Sequence, residues 1–403
     1  MLFFPRETYP TDRVRLTALF GRELLGRGHA IDLVMQAADA DVRVGRHDWS
    51  GRSIWVGPTD SGRGALHRLR RVILGIAHDF KWLWRARGDQ YDSVLVSDKY
   101  VLGAIACVVA RARGLKSLFW MTYPYHQAQV TLGQERITGN PTLAVLRGRI
   151  AAFFLHRWIV PRSDHVFVQS RRMAEDFVRE GADPSKLTPV ITGIDLEGVE
   201  LARRPSREPV SRPIVIAYLG TLVRQRRLEI LVDMLDELRR RGVQTRLLLI
   251  GDGAAPEDRQ AIEGRASELG LASALEITGF LPRPEALRLV QTADVCVSPF
   301  RPAPALEVAS PTKLVEYLAL GLPVVANSHP DQTAVLHESR AGVCVPWGAR
   351  HFARAVHWLS RRSDTELAEM ARRGQAWVAA NRSYAKIADD VERACLRRSR
   401  GPG

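Results

Sequence analysis

Two stretches of this 403-residue chain gather groups that suit an anion. The first is the turn Gly220-Thr221-Leu-Val-Arg224-Gln-Arg226-Arg227. Arginine forks match phosphate oxygens two at a time; the bland alternative is a solvated basic turn. The second, Ser310-Pro311-Thr312-Lys313, reads as the tight start of a helix. The first N–H groups of a helix have no partner within it and favour anions. Pro311 lacks an N–H but suits a first helical position, and Lys313 adds a point charge. Glu316 follows three residues on, a carboxylate able to accept from paired hydroxyls. Alternatively, Lys313 and Glu316 are a solvated i,i+3 pair on a surface helix. In the first half, Phe119-Trp-Met-Thr-Tyr-Pro-Tyr-His126 follows an apolar run. His126 is a candidate for hydrogen bonding or proton transfer and Tyr123 a second candidate; an aromatic wall is the alternative. Asp12 and Arg13 stand in the loop after the first strand, where they either meet a ligand or, for Asp12, cap the next helix.

The elements that must position these groups alternate. Short β-like runs at Leu2–Phe4, Ala30–Met35, Ser93–Ser97, Ser117–Met121 and His165–Gln169 are separated by helical periodicity at Val14–Gly28 and Val101–Arg113. The rhythm breaks at 197–212, where Pro205, Pro209 and several charges read as a linker. It restarts with strands at Pro213–Leu219, Thr245–Ile250, Leu275–Thr278, Asp294–Pro299 and Pro323–Ala326 and helices between them. Such βαβ alternation predicts parallel sheets covered by helices. The expected organisation is an N-terminal domain at 1–196, the linker at 197–212, a C-terminal domain at 213–375, and a helix with a basic tail at 376–403 packing back toward the first domain.

Composition bounds the partners. There are 58 basic against 44 acidic side chains, a net charge of +14, and all but 6 of the basic residues are arginine. A basic balance invites nucleic acid, an anionic membrane face or phosphorylated small molecules; no nucleic-acid module is present. Cys107, Cys296, Cys344 and Cys395 are far apart and read as buried free thiols in a reducing compartment. The opening Met1-Leu-Phe-Phe-Pro5-Arg6-Glu7 is too short for a signal peptide, and the run Val101–Ala110 is about half a membrane span. The expected location is cytoplasmic, with peripheral attachment to the inner membrane face as an extension.

Taken in order, Tyr218-Leu-Gly-Thr-Leu222, Leu249-Ile-Gly-Asp-Gly253, Thr278-Gly279-Phe280-Leu281, Ala293–Pro299, Ser310–Ala326 and Ala341-Gly-Val-Cys-Val345 resemble the donor-site signature of the family 4 glycosyltransferases. Gly26-Arg-Gly-His-Ala30, Ser163–Ser170 and Gly193-Ile-Asp195 extend the resemblance into the first half. It implies an α/β protein of GT-B type, two Rossmann-like domains facing a central cleft. It further implies transfer from a nucleotide-diphosphate sugar, with retention of configuration and without a metal ion or organic cofactor. On it, Glu316 holds the ribose, Ser310, Pro311, Thr312 and Lys313 face the diphosphate, and Gly279, Phe280 and Leu281 cover the base. Relatives carry an arginine directly after the Gly220 position and a lysine about five residues on. Here these are Thr221 and Arg226, so Arg224, Arg226 or Arg227 supplies the missing cation and stabilises the leaving charge. Many relatives also have a glutamate eight residues before the Glu316 position. Here it is Val308, with Glu307 one residue off, which leaves the donor sugar open. Acceptors bind the first domain, so Asp12, Arg13 and Tyr123 are acceptor-side candidates; His126 falls where relatives often carry a catalytic-site histidine and is a catalytic candidate with Arg224 and Arg226; and a glycan or lipid-linked glycan is the acceptor class. Asp39-Ala40-Asp41 resembles a metal-binding motif but falls in the wrong domain and reads as surface acids.

The segment Arg63–Arg87 carries seven basic residues and one acid. Leu66, Leu69, Ile73, Ile76, Phe80 and Leu83 fall on one helical stripe, with Trp82 and Trp84 near its end. A basic, tryptophan-bearing helix suits an anionic membrane surface; the alternative packs the stripe on the sheet. A sugar-nucleotide epimerase and a catalytically inactive GT-B partner subunit are the rival readings of the whole chain.

Overall fold

The computed structural model describes residues 1–396 apart from 12, 137, 196 and 198–211. Asp12, nearly all of the linker segment and the basic tail therefore lie outside the described residues. The chain divides into two compact units, Met1–Gly193 with Tyr384 onward, and Ile194–Ser383.

The first unit is built on β1 (Leu2–Phe4), β2 (Thr8–Tyr9), β3 (Asp32–Ala37), β4 (Gly45–Trp49), β5 (Arg52–Gly57), β6 (Ser93–Ser97), β7 (Lys116–Met121), β8 (His165–Val168) and β9 (Leu187–Pro189). The sheet order is β4-β5-β3-β1-β6-β7-β8-β9, with β2 beside β3. Every pair is parallel except β4 with β5, a hairpin. The inner strands are nearly continuous apolar runs because helices cover both faces. On one side Arg15–Leu24, wound as a π-helix, buries Leu16, Leu19 and Phe20 with the C-terminal helix Tyr384–Leu396. The helices α1 (Ala65–Arg85), α2 (Tyr100–Ala112), α3 (Tyr125–Gln134) and α4 (Pro141–Phe154) belong to the same unit. Asn140 caps α4 by accepting from the Leu143 amide at 3.1 Å.

The second unit holds β10 (Ile214–Leu219), β11 (Thr245–Ile250), β12 (Leu275–Ile277), β13 (Val295–Ser298), β14 (Val324–Asn327) and β15 (Val343–Val345), all parallel, in the order β12-β11-β10-β13-β14-β15. The order reverses between β10 and β13, and open α/β sheets bind ligands beyond the strand ends at such a point. The helix Asp364–Asn381 packs against Thr312–Ala319 within this unit, and the chain returns to the first unit only at Tyr384, later than the boundary at 375–376 read from the sequence.

The four cysteines are free. Cys107 and Cys296 are buried as expected, whereas Cys344 is exposed because β15 is a sheet edge. Among the described residues no helix is long and apolar enough to cross a membrane.

Candidate active site

The second unit assembles its site where β10 and β13 end. Beyond β10 the chain turns through Gly220 at φ 142°, a region open to glycine. A side chain there would also crowd the two cations, since a Cβ would stand 3.2 Å from Arg226 Nη1 and 3.4 Å from Lys313 Cε. The short turn Arg224–Arg226 follows, closed by Arg227 in the left-handed region at φ 50°. Asp258 fixes this turn by accepting from the Arg224 amide at 3.0 Å and from the Ala254 amide at 2.9 Å. Arg226 Nη1 donates to the Tyr218 hydroxyl at 2.7 Å and to the Thr221 carbonyl at 3.2 Å.

The helix Thr312–Ala319 forms because Leu314, Val315, Tyr317 and Leu318 face the core. It stops where Gly321, at φ 70°, lets the Leu322 amide reach the Tyr317 carbonyl at 2.9 Å. Its start presents Lys313, which is only 6 % exposed. The Lys313 ammonium lies 5.0 Å from the Tyr218 ring and 4.8 Å from the Phe300 ring, contacts of the cation–π type. Burial, and after it the neighbouring Arg226 charge, pushes the Lys313 ammonium well below the ordinary lysine value. Neither Lys313 nor Arg226 has an ion-pair partner among the described residues. The two basic side chains thus converge on Gly220 without a direct ion pair, Glu316 acting on Lys313 only through space. Such a pair is costly to keep unless an anion joins it.

Other candidates are placed with different partners. Glu316 is half-buried and accepts from Arg283 Nη2 at 3.1 Å. The solvated Lys313–Glu316 pair does not form, and Arg283, just after the Gly279-Phe280-Leu281 loop, is a site residue the sequence reading missed. Gly279 sits at φ 76° and bridges Gly251. Phe280 is 67 % exposed, so it is not core, and Leu281 is half-buried. Ser310 is drawn into a buried network: its hydroxyl donates to Asp331 at 3.2 Å and accepts from Arg382 at 3.2 Å. Pro311 precedes the first helical residue, which is the exposed Thr312. Thr221 and Arg224 are exposed beside Gly220. Val308 is buried at 2 %, as a core side chain, and Glu307 ends the short helix Pro304–Glu307.

The first unit reverses its strand order between β3-β1 and β6, and charged groups collect at those ends. Arg6 and Glu7 follow β1; Asp98 follows β6 at φ 56° and holds the Thr122 amide at 2.9 Å. Arg15 donates to Glu7 at 2.8 Å. Burial opposes ionisation of Glu7, but Arg15 and a backbone hydrogen bond hold its carboxyl below the ordinary value. Arg13 is exposed nearby. Tyr123 meets the Tyr125 ring edge-on at 5.0 Å. His126 does not open to solvent: it is 4 % exposed, 3.3 Å from the Tyr100 hydroxyl through Nδ1, with its ring against His156. Burial, and then the His156 charge, lowers its pKa to about 4. His126 thus lies at the start of α3 in contact with Tyr100 and His156.

Helix α1 does not pack its stripe on the sheet, the alternative weighed from the sequence. Its sheet-facing side is polar: His78 bonds the Trp55 carbonyl at 3.0 Å, Arg71 the Asp60 carbonyl at 2.6 Å, and buried Asp79 pairs with Lys99 at 2.8 Å. Trp82 stacks on Trp55 at 4.0 Å. The apolar stripe points outward, with Leu66 76 % exposed and Leu69, Ile73, Ile76, Phe80 and Trp84 also exposed; only Leu83 is buried. Leu146, Ile150 and Phe153 of α4 are exposed as well. Among the described residues no three His, Cys, Asp or Glu side chains are grouped to hold a metal ion.

Residues 15–193 match the family model described as a glycosyl transferase 4-like domain, and residues 213–362 match that of glycosyl transferases group 1. Together the two matches take in most of the chain. The chain belongs to the family 4 glycosyltransferases. This glycosyltransferase is 24 % identical, over 354 residues and 83 % of each chain, to a putative colanic acid biosynthesis glycosyltransferase of Escherichia coli K12. It is 27 % identical over 182 residues, 45 % of this chain and 44 % of the other, to an alpha-D-kanosaminyltransferase of Streptomyces kanamyceticus. Its fold is GT-B. The sucrose-phosphate synthase of Thermosynechococcus elongatus superposes with a TM-score of 0.72 at 17 % identity, 98 % of each chain being covered. HepE of Anabaena, solved in complex with UDP and glucose, superposes at 0.66 with 15 % identity and the same coverage.

Proposed function

We propose that this glycosyltransferase takes its sugar from a nucleotide-diphosphate sugar and transfers it to a hydroxyl of a lipid-linked glycan in the synthesis of a surface polysaccharide. The observation that carries the donor class is the convergence of Arg226 and Lys313 on Gly220 with no direct ion pair to either. A diphosphate supplies the missing negative charge. Arg224 stands exposed at the same turn to join them, and exposed Thr312 begins the helix that carries Lys313, whose first amides have no partner within it. Glu316, held by Arg283, keeps one carboxylate oxygen to accept from the ribose hydroxyls.

In this reading the sugar's anomeric C–O bond breaks and the bonding pair leaves with the diphosphate. The acceptor oxygen attacks the same face, and its proton passes to a diphosphate oxygen. Arg224, Arg226 and Lys313 stabilise the charge that grows on the leaving group, the kind of preorganised electrostatics that often dominates catalysis. No metal ion or organic cofactor takes part, so activity persists in excess EDTA. Names of relatives such as the colanic acid enzyme support the polysaccharide assignment. The outward apolar stripe of α1, flanked by Arg68, Arg70 and Lys81, supports attachment to the inner face of the membrane.

The test is release of UDP or GDP from a panel of sugar nucleotides supplied with membrane extract. A donor that is turned over only with the extract is expected. If no donor binds, and Glu316→Ala leaves every readout unchanged, the reading fails.

A further inference from the structure

The crevice at the strand-order reversal of the first unit continues into a groove between α1 and α2, with a cavity of about 260 Å³. That is less than a whole small-molecule pocket and suits a stretch of chain. Its walls are apolar and largely exposed: Val72, Ile76 and Phe80 on α1, Val101 and Ile105 on α2. Its inner end is polar, where Arg6, Glu7, Lys99 and Tyr100 line it. The charges there cancel in pairs, Lys99 with Asp79 and Glu7 with Arg15. Arg6 makes no direct ion pair among the described residues: it rests over the Tyr125 ring at 3.6 Å and meets the buried Asp98 carboxylate only through space. The groove therefore offers, at the strand ends, one guanidinium with no direct ion pair, its neighbour Asp98 being buried and bonded to Thr122, and hydrocarbon walls leading away from it to the exposed stripe of α1.

From this the geometry points to a built site for an amphiphilic acceptor: a lipid phosphate whose head lies against Arg6 and whose aliphatic chain runs outward between α1 and α2. The inference rests on the lipid-linked reading above and adds where the lipid is held. Head and chain contribute separately. Arg6 supplies a charge-assisted contact to the phosphate, and each methylene withdrawn from water strengthens binding about fourfold.

The test uses the full chain in vesicle-free buffer and a pentadecyl phosphate bearing a diazirine near the chain end, below its micelle concentration. After irradiation the labelled residues are mapped by mass spectrometry. Label is expected on the facing sides of α1 and α2. It should fall about tenfold in Val101→Trp, which fills the groove from an exposed position, and about tenfold with the corresponding alcohol in place of the phosphate, each equivalent to ~1.4 kcal/mol. Dodecyl phosphate should compete and inorganic phosphate should not. Circular dichroism and an unchanged thermal midpoint verify that Val101→Trp folds. Label elsewhere, label undiminished by Val101→Trp, or equal competition by inorganic phosphate overturns the site. Transfer of radioactive sugar into organic-extractable product, measured separately, tests the lipid-linked reading itself, so the two failures are distinguishable.

Discussion

Arg283 Nη2 donates to Glu316 at 3.1 Å, joining the loop after Gly279 to the helix that carries Lys313. The bond orients one carboxylate oxygen; in the proposed function the other accepts from the donor ribose. Hydrogen bonds to charged groups are worth about 1.5–3 kcal/mol. Glu316→Ala should therefore weaken donor binding on the order of 10- to 100-fold. Arg283→Gln keeps the carboxylate but loosens it, so it should raise the donor KM by a smaller factor with kcat nearly unchanged. Steady-state kinetics on the purified protein separates the two effects; equal losses in kcat and KM for Arg283→Gln would contradict a positioning role.

Burial of the Lys313 ammonium sets a pH dependence of stability. The ammonium is depressed by burial and by Arg226, so the folded state gives up the Lys313 proton at a lower pH than the unfolded chain does. Between the two pKa values the unfolded state binds more protons, and stability rises with pH until the unfolded value near 10.4 is passed. Lys313→Met removes this slope and the buried charge. The variant should melt higher than the parent without ligand, yet show no thermal shift with UDP or GDP where the parent does. Thermal melts across pH, with and without nucleotide, check both halves.

Much of the second unit is legible in the sequence because its motifs sit where physics leaves little choice. Gly220 needs positive φ and an empty Cβ position, Gly321 terminates a helix, and Lys313 and Glu316 fall on a helix whose other faces are apolar. Arg283 is not legible, since nothing local marks it; only the fold brings it to Glu316. The first unit is harder. The edge strand β4 is mostly polar and exposed, so the hairpin around Ser50 and Gly51, both at positive φ, carries little apolar signal. Helix α1 shows the limit of periodicity: its stripe is real, but the polar side is the one that packs, its groups satisfied by Trp55, Asp60 and Lys99. A hydrophobic pattern names a face without saying what covers it.

His126 and His156 make a pH prediction. Both have pKa values lowered to about 4, His126 by burial and then His156, and His156 by burial. Unfolding returns them to about 6.5. Between those values the unfolded chain binds the extra protons, so stability falls as pH drops from 6.5 toward 4. Going from pH 7 to pH 5 should cost roughly 2 kcal/mol from His126, and less from His156, whose Nδ1 lies 2.7 Å from the Glu180 carboxylate, a pair that favours its protonated form. Urea unfolding at the two pH values measures this, and His126→Gln should remove its share. The pH profile of kcat should show no ionisation near 6.5 from His126, because the imidazole stays neutral there. A profile that loses such an ionisation in His126→Gln would restore the residue to acid–base chemistry.

The outward stripe of α1 makes the last prediction. Burying one large apolar side chain is worth about 1.5–3 kcal/mol, and Leu69, Ile73, Ile76, Phe80 and Trp84 are all left exposed on one helix. Arg68 and Arg70 stand on the same helix, each worth about 1 kcal/mol against an anionic surface. Arg71 is excluded from the test because it bonds the Asp60 and Gly62 carbonyls and holds the loop. The protein should co-sediment with vesicles containing acidic phospholipid, less so as salt is raised, and poorly with neutral vesicles. Arg68→Glu with Arg70→Glu replaces attraction by repulsion and should lower binding at least about tenfold. Ile73→Asp should do the same through the apolar term and with little salt dependence, since it removes insertion while leaving the arginines. Unchanged sedimentation in both variants would mean that the stripe faces a different partner.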